Sequence, residues 1–219
     1  MPREVIPGVL LWTRSEIGLP TPSPATGGAT QRRLRVHHTT GSTLKRDDDD
    51  HPAWIRSIWR YHVETQKWDD IGYSFLVGRD DDDRQAAHIY AGRGWGKIGA
   101  HTYGYNDDLG VAYLGDGGEA IDPGVQRAFV WLRGARIVGQ RPAYGHRDTA
   151  QTACPGDVLY RWVQSGMPAP LRRRTRVYRA RATIEEAMPL LKAAADARGA
   201  GVARMYTELR SALDDGPKS

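Results

Sequence analysis

The sequence predicts an α/β protein: a mixed central β-sheet flanked by helices, with a small helical appendage at its C-terminal end. Three observations carry this. Short β-type runs recur at 34–38, 68–78, 86–91 and 109–114, each bounded by Gly, Pro, Asp or Thr punctuation. Stretches with apolar residues at helical spacing separate several of these runs, and strands interleaved with helices argue a sheet of mixed direction. The 219 residues are 40% hydrophobic and 26% charged, a composition that folds and is long enough to bury a real core.

Taken in order, residues 1–33 read as an irregular arm, because Pro20, Pro22 and Pro24 and then Gly27 and Gly28 crowd its second half. Residues 34–38 form a short strand that stops at Thr39-Thr40-Gly41-Ser42. The acidic run Asp47 to Asp50, followed by His51-Pro52, suits a helix N-terminus. Ile55, Ile58, Trp59 and His62 then give one apolar stripe. A strand within 68–78 turns at the polar tip Asp80 to Gln85 and returns over 86–91. The glycine-rich stretch 92–104 reads as a long ordered loop, the kind that usually carries function. After the strand at 109–114, Asp122-Pro123 opens a helix with Val125, Phe129 and Leu132 on one face. Residues 141–144 form a short strand leading into His146, and a helix after Pro155 turns Leu159, Trp162 and Val163 inward.

The domain organisation that follows is a main domain over 1–168 (arm 1–33 included), a basic linker over 169–182 and a helical tail over 183–219. The tail begins with a capping-box pattern at Thr183-Ile184-Glu185-Glu186, and Ile184, Met188, Leu191 and Ala195 share a stripe. It packs on the main domain or on another copy, so self-association through these helices is one of two readings. No run approaches the roughly 18 apolar residues of a membrane span, so no stable membrane insertion is expected. The first dozen residues lack the pattern of a secretory signal, which points to synthesis in the cytoplasm and action elsewhere after release. The formal charge is +5, with Arg supplying 26 of the 31 basic residues. That balance is compatible with anionic wall polymers, membranes or nucleic acid and does not choose among them.

Chemistry concentrates in Gly145-His146-Arg147-Asp148-Thr149-Ala150-Gln151-Thr152-Ala153-Cys154-Pro155, which holds the only cysteine of the chain. A lone thiol cannot close an intramolecular disulfide, so it is either buried filler or a reactive or ligating group. Thiolate and imidazole are common zinc ligands, and Val36-His37-His38-Thr39 lies far upstream as a source of a third. Alternation along a strand sends His37 and His38 to opposite faces, so one of them is a candidate ligand and the other a packing or surface residue. Three protein ligands would leave the fourth tetrahedral position to water, the catalytic pattern. Amide hydrolysis would also need a hydrogen-bond donor at the developing oxyanion, and Tyr73 and Thr152 are polar groups on flanking segments.

Four motifs in order, Val36-His37-His38-Thr39, Asp70-Ile71-Gly72-Tyr73-Ser74-Phe75, Gly99-Ala100-His101-Thr102-Tyr103-Gly104-Tyr105-Asn106 and Gly145-His146 through Cys154-Pro155, resemble the zinc-dependent N-acetylmuramoyl-L-alanine amidases. That family takes in phage lysozyme-type amidases and peptidoglycan recognition proteins. The segment Trp12 to Gly18 loosely resembles its opening, and the likeness covers roughly residues 10–166. The resemblance implies that His37, His146 and Cys154 bind Zn2+, that Tyr73 sits beside the zinc-bound water, and that Thr152 occupies a catalytic position. It also implies that His101 and Asn106 border the substrate groove, Asn106 with a structural turn as the other reading; Trp95, in Gly94-Trp95-Gly96, either lines that groove or is a buried aromatic. The implied reaction cleaves the amide between N-acetylmuramic acid and L-alanine of bacterial peptidoglycan, with cell-wall lysis as in a phage endolysin and with no nucleic acid as partner. The alternative from another class is a non-catalytic peptidoglycan-binding module, a role typical of relatives lacking the cysteine. Thr152 brings no positive charge, the tip Asp80 to Asp83 is longer and more acidic than the usual turn, and the helical tail lies outside the family's core.

Overall fold

A computed structural model describes residues 1–39, 51–80 and 82–170, together with 192, 207 and 208. The chain divides into two compact units, 1–170 and 171–219. In the second unit Lys192, Thr207 and Glu208 are helical; of the expected linker, residues 169 and 170 fall in the first unit, and the remainder of linker and tail lies outside the described residues, as do Asp47 to Asp50.

The first unit is a seven-stranded mixed sheet in the order β1-β2-β5-β4-β6-β3-β7. Its strands are β1 (Arg3–Ile6), β2 (Val9–Trp12), β3 (Leu34–His38), β4 (Phe75–Arg79), β5 (Ala87–Ala91), β6 (Leu109–Tyr113) and β7 (Ala143–Gly145). The arm expected over 1–33 is therefore partly wrong. Gly8, at φ +76°, turns β1 back on β2, and β2 runs parallel to β5 with Val9 opposite Ala87. Pairing with a strand some 76 residues away decides these four-residue segments, whose own patterns are too short to do so. The strand expected within 68–78 begins only at Phe75, and β7 begins at Ala143 rather than 141.

Helices α1 (His51–Arg60), α2 (Pro123–Gly134) and α3 (Asp157–Gln164) cover the sheet on two sides. Val36, Val77 and Val111 face α2 and α3 and pack with Phe129, Leu132, Leu159 and Val163. Leu76 and Tyr90 face the other way and pack with Ile17, Ile55 and Ile71 beneath α1. Pro123 at the first turn of α2 follows Asp122, as expected from the sequence. A turn of π-helix over Tyr61–Thr65 extends α1 and places His62 in the interior, with Gly72 donating its N–H to His62 Nδ1 at 3.1 Å. The acidic tip is tied by its first residue: Asp80 accepts the amides of Asp82 and Asp83 and lies 3.3 Å from His88 Nε2. No helix among the described residues is long and apolar enough to cross a membrane.

Candidate metal centre

β3, β6 and β7 run parallel, so their C-terminal ends emerge side by side. Val36 pairs with Gly145, which brings His37 and His146 to the ends of neighbouring strands. Loops at such ends build sites in α/β sheets. His37 lies opposite Ala112, which lies opposite Leu76, so it projects on the α1 side of the sheet, while Val36 enters the core on the other. After β7 the chain makes a 3-10 turn over His146–Asp148, pinned by Gly145 donating to Asp148 Oδ2 at 2.8 Å. Arg147 then recovers the returning loop: its amide donates to the Cys154 carbonyl at 3.1 Å, and its guanidinium reaches the Ala153 carbonyl and Asp157.

The result is convergence of three ligand atoms, one each from His37, His146 and Cys154, all within 4.8 Å of one another. Cys154 Sγ is 3.8 Å from His37 Nδ1 and accepts the His38 amide at 3.4 Å. Zinc bonds of about 2.0 Å to nitrogen and 2.3 Å to sulfur give tetrahedral edges of roughly 3.3 to 3.6 Å; the His37–Cys154 pair, at 3.8 Å, is close to such an edge, and the wider pairs would close from at most 4.8 Å. Among the described residues no fourth His, Cys, Asp or Glu joins the group. His37 is buried, while His146 and Cys154 are partly exposed and form the open side. His38 faces away from this group. It accepts the Gly117 amide at 3.0 Å and is the packing histidine of the pair.

Electrostatics suit metal binding. Burial, then the neighbouring imidazoles of His101 and His146, hold His37 well below the ordinary histidine range, and burial followed by Arg35 lowers His146. Both rings are therefore neutral at pH 7. Burial pushes the Cys154 thiol up to about 11, opposed by the His38 N–H and Arg147, so a metal must displace its proton. Tyr73 sits just before β4 with its ring 5.4 Å from that of His37. Burial, then Cys154, raises its hydroxyl above the usual tyrosine range, leaving it a donor and not a base. Thr152 is exposed, and its oxygen accepts the Cys154 amide at 3.1 Å, which leaves its own proton free to donate outward.

The three groove candidates take different places in the fold. Trp95 packs on Phe75 at 4.7 Å between ring centres, on the core face opposite His37, because Phe75 pairs with Val111 and shares the side of Val36. It is a packing aromatic. Asn106 turns inward: its Oδ1 accepts the amides of His101 and Thr102 at 2.8 and 2.9 Å and holds the loop closed. His101 is buried behind His37, with ring centres 5.1 Å apart.

Two features were not singled out as site residues in the sequence. Asp70, fully buried, accepts from Arg14, Trp59 and the Ile71 amide and so anchors the segment that ends in Tyr73. Arg35 projects from β3 on the same face as His37, bonded to Asp108 at 2.9 Å and stacked between Tyr105 and Tyr144. With Arg33, Asp148, Thr149 and Gln164 they line a cavity of about 480 Å³. The one signal for Arg35 was its odd-numbered place beside His37 on an apolar strand.

Burial, the leading cause in each case, lowers His37, His62 and His101, the last two to about 4. Below pH ~6.5 the unfolded chain therefore binds more protons than the folded one. The metal-free protein is expected to keep its full stability above pH 6.5 and lose it steadily as the pH falls toward 4. Urea midpoints at pH 7.5 and pH 5 check this, and equal midpoints would rule out buried neutral histidines.

No protein-family model matches the chain. It is 40% identical to human N-acetylmuramoyl-L-alanine amidase over 138 residues, which cover 58% of this chain and 23% of that protein. It spans about a fifth of the length of this and the mouse and pig proteins of the same name. Identity to Drosophila melanogaster peptidoglycan-recognition protein SC1a is 33% over 132 residues, 57% of this chain and 68% of the relative. Among solved structures, Drosophila PGRP-LB superposes with a TM-score of 0.60 at 29% identity, covering 72% of this chain and 94% of that one. Human PGRP-Iβ C-terminal domain in complex with a glycosamyl muramyl pentapeptide superposes at 0.57 and 30% identity, covering 73% and 96%.

Proposed function

The chain belongs to the peptidoglycan recognition protein and N-acetylmuramoyl-L-alanine amidase family, and from that membership we propose that it is a zinc-dependent amidase of peptidoglycan. The bond cleaved is the amide joining the lactyl group of N-acetylmuramic acid to L-alanine. The observation that carries this reading is the convergence of His37, His146 and Cys154, three donors with no fourth among the described residues and open on one side. When bound there, zinc supplies Lewis acidity and lowers the pKa of water to about 7.

The chain's own residues do the rest. The neutral Tyr73 hydroxyl donates to the oxygen that gains charge, or holds the attacking water in line. The Thr152 hydroxyl, with its oxygen occupied by the Cys154 amide, offers its proton to the same region. Neither carries positive charge, so the chain's own residues offer a developing oxyanion only neutral hydrogen-bond donors. The cavity of Arg35, Tyr105 and Tyr144, on the same strand face, gives room and hydrogen-bonding groups for the substrate beyond the scissile amide.

Incubation of the zinc-loaded protein with purified peptidoglycan is expected to release L-alanine amino termini and lower turbidity. Glycan or cross-bridge cleavage in place of that release would overturn the reading, and tight binding without any release would make the protein a binding module. Tyr73→Phe is expected to lower kcat by about 100-fold, the scale for losing one oxyanion donor, with KM and zinc affinity little changed. An unchanged kcat would remove Tyr73 from the chemistry.

A further inference from the structure

We propose that His101 is a positioning residue that fixes the tautomer of His37, keeping Nε2 protonated and Nδ1 bare toward the metal. The proposal rests on the zinc reading for its purpose, but its geometry stands on its own.

His101 Nε2 lies 3.2 Å from the main-chain carbonyl of Asp108. A carbonyl only accepts, so His101 Nε2 carries the proton, and in a neutral imidazole Nδ1 is then the lone pair. That lone pair faces His37 Nε2 at 3.3 Å and Thr102 Oγ1 at 3.1 Å. At His37 Nε2 the His101 imidazole can only accept, and Thr102 Oγ1, 3.4 Å away, accepts there when its own proton goes to the nearer His101 Nδ1, so donation by His37 Nε2 satisfies all three groups. Its proton thus sits on Nε2, which leaves Nδ1, 3.8 Å from Cys154 Sγ, as the free lone pair. Ligating histidines commonly donate their second N–H to a fixed acceptor. Here that acceptor is a second imidazole whose own proton is locked by a peptide group.

The surroundings hold that ring in one orientation. A Cβ on Gly110, in β6, or on Gly99 would run into the His101 ring, so both positions are shaped around it. The Asp108 carbonyl is itself steadied, because the carboxylate of that residue bridges Arg33 and Arg35 at 2.7 and 2.9 Å. Asn106 clamps the His101 amide from the other side. A side chain packed into a glycine cradle behind a ligand is placed to orient that ligand and not to meet substrate.

The test is nitrogen-15 NMR of the metal-free protein, paired with zinc affinity by chelator competition. Wild type is expected to show His37 as the Nε2–H tautomer. His101→Ala should give mixed tautomers and a zinc affinity 10- to 100-fold weaker, the usual cost of losing such a partner. His101→Gln, whose amide oxygen can accept from His37, should recover part of the loss, and Thr102→Val should stay close to wild type. A wild-type His37 protonated on Nδ1, or an alanine variant with unchanged tautomer and affinity, would overturn the proposal. The wild-type spectrum decides the matter even if His101→Ala does not fold. Neither readout uses hydrolysis, so a protein that binds zinc yet releases no L-alanine would sink the amidase reading and leave this one standing.

Discussion

Cys154→Ser is expected to abolish stoichiometric zinc binding and to reduce kcat/KM on peptidoglycan by at least about a thousandfold, on the order of 4 kcal/mol of transition-state stabilisation. The substitution is nearly isosteric, so the loop tied by Arg147 and the His38 amide should persist. What changes is the donor. A thiol that burial holds near 11 can still be deprotonated by a metal, whereas a serine hydroxyl is a far weaker acid and a poor zinc ligand. The same argument fixes a pH signature. Each zinc bound at neutral pH must expel one proton from Cys154, so wild-type affinity should rise about tenfold per pH unit between pH 7 and 10, and the serine variant should lack that slope. Metal content of the purified proteins and titrations at several pH values measure both. Equal metal content in the two proteins would show that the three donors do not act as a site.

Asp70→Ala is expected to cost about 3 to 5 kcal/mol of folding stability, the range for breaking a buried ion pair from one side. Asp70 is fully buried and pairs with Arg14, itself 7% exposed, at 3.0 Å. It also accepts from Ser23, Trp59 Nε1 and the Ile71 amide. Those partners tie the N-terminal segment and α1 to the strand entry that carries Tyr73. Removing the carboxylate leaves the Arg14 guanidinium buried without its counter-charge, although hydrogen bonds to the Pro20 and Gly92 carbonyls remain. Against a typical total of about 5 to 15 kcal/mol the effect is large. Asp70→Asn, which keeps an acceptor oxygen but no charge, should lie between. Denaturant unfolding checks the series, and a loss below about 1 kcal/mol for the alanine variant would mean the network is replaceable by solvent.

Much of the architecture was legible because it is locally encoded. β3 matches the run at 34–38, α2 opens at the expected Pro123, and α3 turns Leu159 and Val163 inward as its spacing requires. The misreadings cluster where local pattern is weak. β1 and β2 are four residues each, and prolines further along obscured them. Trp95 stands in a glycine-rich loop that has no period to reveal which face its ring takes. His101 and Asn106 share a motif with no regular structure, so nothing in the sequence distinguishes a groove wall from a buried support.

By itself the sequence determined the kinds of donor available, two imidazoles and a single thiol, and the strand ends on which the imidazoles stand. It also determined that an apolar alternation would send only one of His37 and His38 to any one face. Only the tertiary structure decided that the donors meet, because His37 and Cys154 are 117 residues apart and their approach depends on the parallel register of β3 with β7. It alone decided which nitrogen of His37 faces the sulfur, since that follows from a contact with His101 across 64 residues and a carbonyl beyond it. Periodicity constrains a side chain relative to its own strand; the partner it meets is set by how strands are ordered, and that order is a property of the whole sheet.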